Sequence, residues 1–414
     1  MSSNRWPLRA ALACVASGVL GASAAAQTAP AFPDLLKQAQ ASAPRLALGA
    51  AEARAAAGQA AQAAVRPNPT LGLTVENAAG SGPYKDFGGV ETTLSIDQPL
   101  ELGGKRGART SAARADLAAA QVRASLGEVD FARDLALAYA GAEAAQQRLA
   151  IARDGVDLAQ ADARAARLLV DHGKEAKVRA VQAEAGLATA RADQGAAQAD
   201  AETALARLSA LTGSADRYTA VTGGLLETVP APAPLEPRFS PAIAAARAER
   251  DAAQRRVDLE RARRTPDLTV SFGVRRFQDE DATAAVFGIS APLPLFDRNR
   301  GAVAAATANA QAAEARLAMA QAEQEGDRRA AAAQVAAADQ TLDASRQGET
   351  AAAEAYRLVR ISYDAGRLPL SELLAARRDL IAARGRAVDT KLARVKALAD
   401  LARAQGRIPF GVQP

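Results

Sequence analysis

His172 is the sole histidine of the 414-residue chain and Cys14 the sole cysteine. A metal site needs several converging ligands, and a catalytic nucleophile needs a base beside it. No histidine–carboxylate cluster or nucleophile–base pair stands out, so no catalytic, cofactor-binding or metal residue is nominated. What recurs instead is a stop signal. Asp171-His172-Gly173-Lys174 and Asp364-Ala365-Gly366-Arg367 interrupt two long helical patterns. Glycine reaches the left-handed conformation that ends a helix. A cation follows each stop, Lys174 or Arg367, and His172 reads as an exposed turn residue beside the first.

Short alternating stretches precede the helices that carry these stops. Val90, Thr92, Leu94 and Ile96 alternate with Glu91, Thr93, Ser95 and Asp97, and Ala284–Leu295 echoes the stretch. A two-residue period gives one apolar and one polar strand face, and Pro99, Pro292 and Pro294 are expected to end the pairing. Thr70–Asn77 and Leu268–Val274 alternate in the same way, each ahead of a turn-rich loop, so two β-hairpins are expected. Strands of this length with one apolar face suit a membrane-spanning β-barrel.

Helical patterns fill most of the remainder. Phe32–Ala64 is expected to be one helix. Arg106–Val170 has no proline and at 1.5 Å per residue spans about 100 Å, and Glu175–Leu211 returns from the first stop. Gly127, Gly141 and Gly155 recur at two-heptad spacing, which marks a seam of close packing. The proline-rich Glu227–Pro241 cannot be helix or sheet interior. The scheme then repeats: Pro241–Arg264, a hairpin, Arg300–Tyr363, the second stop and Pro369–Gln405. In the last, Val388, Leu392, Val395, Ala399 and Ala402 follow coiled-coil spacing. Pro99 with Pro292 and Gly173 with Gly366 share one offset, 193 residues, which identifies an internal duplication.

Aromatics make up 4% of the chain, too few for a large spherical core, and the formal charge is +5. Acids and bases are interspersed, with no basic stripe to engage nucleic acid. At the N-terminus, Arg5 and Arg9 precede the apolar Ala10–Leu20, and Ala24-Ala25-Ala26 follows, the layout of a secretory signal cleaved after Ala26. Cys14 lies inside that segment with Ala11 three residues before it, which disfavours a lipid anchor. The division expected is 1–26 signal peptide, 27–226 first repeat, 227–241 linker and 242–414 second repeat. After the signal no run reaches the ~18 apolar residues of a transmembrane helix.

Four strands cannot close by themselves, and open edges in lipid cost several kcal/mol per unpaired group. The strands must therefore come from several chains, and three copies would supply twelve. RPNPTLGLTVEN, SIDQPLELGGKRG and YDAGRLPLSELLAARRDL, set in duplicated halves, resemble the TolC-like outer-membrane efflux channels, nearest their CzcC-like metal-efflux branch. The resemblance covers essentially the whole mature chain. It implies a mainly α fold with a small membrane β-barrel portion: a homotrimer whose twelve-strand barrel lies in outer-membrane lipid and continues as a periplasmic α-barrel. It further implies docking to a periplasmic adaptor and an inner-membrane pump of RND type, as a passive exit duct for metal ions or small toxic compounds.

The resemblance also assigns residues. The tips at Gly173, Lys174, Gly366 and Arg367 would meet the adaptor. Glu372, six residues past Gly366, matches an acidic position that narrows the entrance in relatives, whereas a second such position holds Ala375. The place equivalent to Glu372 in the first half is Arg179, which suggests an alternating ring of three Glu372 and three Arg179. Tyr363 matches a tyrosine that helps hold the entrance closed. Two other readings stay open on the sequence: a periplasmic adaptor, which would need one helical hairpin flanked by many soluble strands, and an exported alanine-rich coiled coil, which leaves the four strands unexplained.

Overall fold

The computed structural model describes residues 27–214, 217–227 and 240–410. The expected signal segment, with Cys14, and nearly all of the proline-rich linker lie outside them. In chain order the elements are β1 (Gln27–Ala29), α1 (Phe32–Ser42), α2 (Pro44–Ala63), β2 (Thr70–Glu76), β3 (Glu91–Leu100), α3 (Lys105–Asp171) and α4 (Lys177–Thr212). There follow β4 (Tyr218–Val221), α5 (Pro241–Ala262), β5 (Leu268–Phe277), β6 (Ala282–Ser290), α6 (Arg300–Asp364) and α7 (Leu370–Ala404).

Four strands form one antiparallel sheet in the order β2-β3-β5-β6, so the hairpin of each half lies beside the other. Register puts Leu71, Ile96, Phe272 and Phe287 in a single row and Leu73, Leu94 and Val274 in the next. All seven are exposed, Phe287 to 74%. The opposite face carries Thr74, Thr93 and Arg275 in one row and Glu76 with Glu91 in another. Glu76 and Glu91 are direct cross-strand neighbours, an arrangement of like charges that destabilises a sheet. Arg275 offsets it, with Nη1 2.9 Å from Glu91, Nη2 2.9 Å from Glu76, and Nε donating to Thr93 Oγ1 at 2.8 Å.

The helices extend from one end of the sheet. α3 has 67 residues and α6 has 65, about 100 Å each at helical rise. Alanine keeps rotamer entropy cost near zero and lets axes approach: α3 packs on α2, α4, α5 and α7, and α6 on α5 and α7. Val388, Val395 and Ala399 of the expected coiled-coil seam are buried. The main core gathers halfway along α3, where Phe131, Leu135 and Tyr139 meet Phe32, Leu35, Leu208, Tyr218 and Val395. There the buried Glu143 accepts backbone N–H groups of Gly224, Leu225 and Leu226 at 2.9, 3.0 and 3.2 Å, which secures the chain as it leaves β4.

Several expectations need correction. Phe32–Ala64 is two helices, because Ala43 is extended and Pro44 begins the second, as the residue before proline prefers. The return helix of the first half starts at Lys177, two residues later than expected. Pro99 does not end the pairing: it lies within β3 opposite Thr269. The β2 ladder has already stopped at Asp97, so that side of β3 needs no further donor. Gly127 and Gly141 do not mark close packing within the chain, since a Cβ on either would meet nothing within 4 Å, whereas Gly155 faces Ile381 at 3.6 Å. β1 and β4 pair in parallel, a small sheet the alternation did not announce.

Candidate gate at the helical tips

The two tips are built alike. Gly173 has φ +70° and Gly366 φ +71°, and neither would crowd a Cβ. Glycine is needed there for the left-handed backbone and not for space. Gly173 and Lys174 donate to the carbonyls of Val170 and Leu169 at 3.0 and 2.9 Å, and Gly366 and Arg367 to those of Tyr363 and Ser362, both at 2.8 Å. These bonds satisfy the last carbonyls of α3 and α6. Lys174 and Arg367 project into solvent, and among the described residues neither has an ion-pair partner. His172 is exposed, its Nδ1 2.7 Å from the Leu168 carbonyl.

Three turns up from the tips is a charge cluster that the sequence reading did not identify. Asp162 of α3 is 1% exposed and Arg377 of α7 is 7% exposed, and Arg377 Nη1 donates to Asp162 Oδ2 at 2.7 Å. Arg360 of α6 brings Nη1 to 3.9 Å from Asp162 Oδ1, which has no hydrogen bond among the described residues. On α4, Gly186 leaves room for the guanidinium, since a Cβ there would lie 3.2 Å from Arg377 Nη2. One side-chain cluster thus ties both hairpins together. Burial pushes the Asp162 carboxyl above its ordinary range against the opposing pull of Arg377 and Arg360, because desolvation disfavours the charged form. A spacing signal existed: Asp162 stands 11 residues before Gly173 and Arg377 stands 11 after Gly366.

Tyr363 is buried beneath this cluster among Ala163, Ala166, Ala183, Leu370 and Leu373. Its hydroxyl has no hydrogen-bond partner among the described residues, and its pKa is pushed up first by burial, then by the charges of Glu175 and Asp162. Glu372 is exposed in the first turn of α7, and Arg179 donates to Gln182 at 3.2 Å and lies 4.0 Å from Glu175. Glu372 and Arg179 do not meet within one chain. Arg179 instead lines a groove of about 820 Å³ between α3, α4 and α7, with Gly155, Gly186, Leu374, Arg377 and Ile381.

A sheet with one apolar and one polar face, mounted on helices about 100 Å long that end in charged tips, is the architecture of an outer-membrane channel with a periplasmic extension. Comparison with known proteins makes the assignment specific: the outer membrane efflux protein family matches residues 35–214 and 239–407, and the chain belongs to that family. It is 44% identical to the nickel-cobalt-cadmium resistance protein NccC of Alcaligenes xylosoxydans xylosoxydans, over 97% of this chain and 91% of the relative. It is 48% identical to the nickel and cobalt resistance protein CnrC of Cupriavidus metallidurans, over 93% of this chain and 92% of that one. The fold matches the outer membrane channel MtrE of Neisseria gonorrhoeae with a TM-score of 0.78 at 21% identity, over 92% and 91% of the two chains.

Proposed function

We propose that this protein is the exit duct of a tripartite metal-efflux system: a homotrimer that receives divalent cations such as nickel, cobalt or cadmium from an inner-membrane pump through a periplasmic adaptor. The observation that carries the reading is the open four-stranded sheet, apolar on one face and polar on the other. Such a sheet is stable in lipid only when closed, because unpaired edges have no water to bond. In the same sense, α2 has no buried residue within the chain, which leaves its surface for a neighbouring copy. The cargo is taken from the metal-resistance relatives. The chain's own part is to supply a water-filled path, and it performs no bond chemistry.

The helical tips are the adaptor-facing end, with Lys174 and Arg367, which have no ion-pair partner among the described residues, as contact charges. Asp162, Arg377 and Arg360 hold the two hairpins of a protomer together, while Glu372 and Arg179 alternate around the entrance between copies. The direct test is light scattering on detergent-extracted protein, paired with nickel, cobalt and cadmium tolerance of a deletion strain. A trimer and a strain sensitised at least about tenfold are expected. A monomeric soluble protein, or unchanged tolerance to all three metals, would overturn the reading. For the entrance ring, Glu372→Arg is expected to increase antibiotic leak and a second change, Arg179→Glu, to reverse it; unaltered permeability in both variants would dismiss the ring.

A further inference from the structure

The four junctions between strands and helices lie at one level. Arg106 Nε, at the start of α3, donates to the Ala64 carbonyl ahead of β2 at 2.9 Å. Leu102, after β3, donates its N–H to Asp267, ahead of β5, at 3.2 Å. Asn299, after β6, donates to the Glu260 carbonyl near the end of α5 at 2.9 Å. Tied in this way, segments 63–69, 101–109, 258–267 and 291–300 form the foot of the sheet. They carry nine bases against five acids, and every acid is already engaged. Glu101 pairs with Arg109, Asp267 with Lys105 and Glu260 with Arg263. Asp258 lies 3.8 Å from both Arg255 and Arg261, and Asp297 accepts the Asn299 N–H at 2.8 Å. Arg66, Arg106, Arg264, Arg298 and Arg300 are left exposed, with no ion-pair partner among the described residues.

Exposed apolar side chains share the foot with these cations. The alternation that exposes Ile96 continues through Leu100 and Leu102, and that of Ile289 through Leu293 and Leu295. Leu100 and Leu102 remain exposed although β5 lies beside β3, and Phe296, two residues before Arg298, is 97% exposed. The far end of the sheet has the opposite charge. Its loops, 77–90 and 278–281, hold four acids and one base. An anionic surface is matched only at the foot.

We propose that the foot docks on the periplasmic leaflet of the outer membrane through anionic phospholipid headgroups. The proposal rests on the channel reading above, which puts the strands in lipid and the helices in the periplasm. The apolar face of the sheet continues into Leu100, Leu102, Leu293 and Leu295, so the lipid-facing surface ends at this foot. Phe296 stands at the boundary, where aromatic rings gather on membrane barrels. Arginine stems lie along apolar surface while their heads stay at headgroup height. A guanidinium holds a phosphate through two parallel N–H bonds, and each cation beside an anionic leaflet strengthens attachment about fivefold. Lipopolysaccharide phosphates, in the opposite leaflet, would meet the acidic loops instead.

Native mass spectrometry of the trimer, taken from micelles holding equimolar phosphatidylglycerol and phosphatidylcholine, counts the lipids retained. Phosphatidylglycerol is expected in at least about fivefold excess, falling to parity at about 1 M salt, where surface charges are screened. Arg66→Gln, Arg264→Gln and Arg300→Gln together, at side chains with no hydrogen bond among the described residues, should remove most of that excess. Lipopolysaccharide, offered in place of phosphatidylglycerol, should be retained equally with and without the three changes. Phe296→Trp in the chain carrying Trp6→Phe, which removes the only native tryptophan, should be quenched by phospholipids brominated in their acyl chains. Should the triple variant fail to assemble, the salt response and this probe still decide. Equal retention of the two phospholipids, or an excess indifferent to salt and to the three changes, would overturn the proposal. So would lipopolysaccharide that responds as strongly as phosphatidylglycerol, or an unquenched probe in an intact trimer, which would put a second copy over the foot. A monomer in every sample, the unsubstituted chain included, would overturn the channel reading itself.

Discussion

The sheet and the helical tips treat charge in opposite ways. The sheet exposes Phe272, Phe287 and Ile289 on one face and keeps Arg275, Glu76 and Glu91 on the other, where the ions pair at half-exposed positions. The tips expose Lys174, Arg367 and Glu372 and bury Asp162 with Arg377 three turns away. At one end an exposed apolar face is the functional surface, because lipid is the solvent. At the other the solvent is water, and a buried ion pair is the unusual feature. A buried pair is a poor source of stability but an effective fastener, since removing one partner strands the other.

The largest effect is expected from stranding a charge at the tips. Arg377→Met should cost about 3–5 kcal/mol locally, read as lost hydrogen-exchange protection in 155–170 and 370–385. Combining it with Asp162→Leu should restore most of that protection. If the double variant is as exposed as the single one, the pair is not the fastener.

Charge on the lipid face of the sheet comes next. Phe272→Arg should cost about 2–4 kcal/mol if that row lies near the bilayer midplane and reduce recovery of the protein from the outer-membrane fraction. Thr74→Arg, on the other face, should leave recovery nearly unchanged. Equal losses from both substitutions would erase the distinction between the faces.

Smaller effects separate the glycines. Gly366→Ala forces a side chain into the left-handed region and should lower the thermal midpoint, at a cost of about 1–2 kcal/mol. Gly127→Ala, in mid-helix with nothing within 4 Å of a Cβ, should raise the midpoint, with a gain of about 0.5–1 kcal/mol in stability. A drop at Gly127 would reveal a close neighbour supplied by another copy. The smallest effect on stability, under about 1 kcal/mol, is expected for exposed Lys174→Glu with Arg367→Glu. Their readout is weaker capture of the adaptor with an unaltered melting curve.

The hairpins and the two long helices were legible because their periods are local. Alternation at Val90–Leu100 puts side chains on two faces whatever the rest of the chain does, and a proline-free alanine-rich run makes helix without help. The tips were legible for the same reason, through Gly173 and Gly366. Other features gave weaker signals. β1 and β4 are three and four residues long, too short for a period to register, and they are fixed by distant partners: Tyr139, Glu143 and Gln146 on α3 receive the chain at the end of β4. The break at Ala43 had a local signal in Pro44, outweighed by the alanines around it.

What the sequence determined by itself is therefore the set of parts and their order: duplicated halves, apolar-faced strands, helices about 100 Å long and the glycines that stop them. Each follows from steric and hydrophobic rules acting within a few residues. Only the tertiary structure decided which charges matter. Asp162 and Arg377 look like any solvated pair of helix charges in a chain with 46 acids and 51 bases. They become a fastener only because α3 and α7 bring together residues 215 apart and because the surrounding alanines and leucines exclude water. Burial is a property of the assembled surface, and no single segment encodes it.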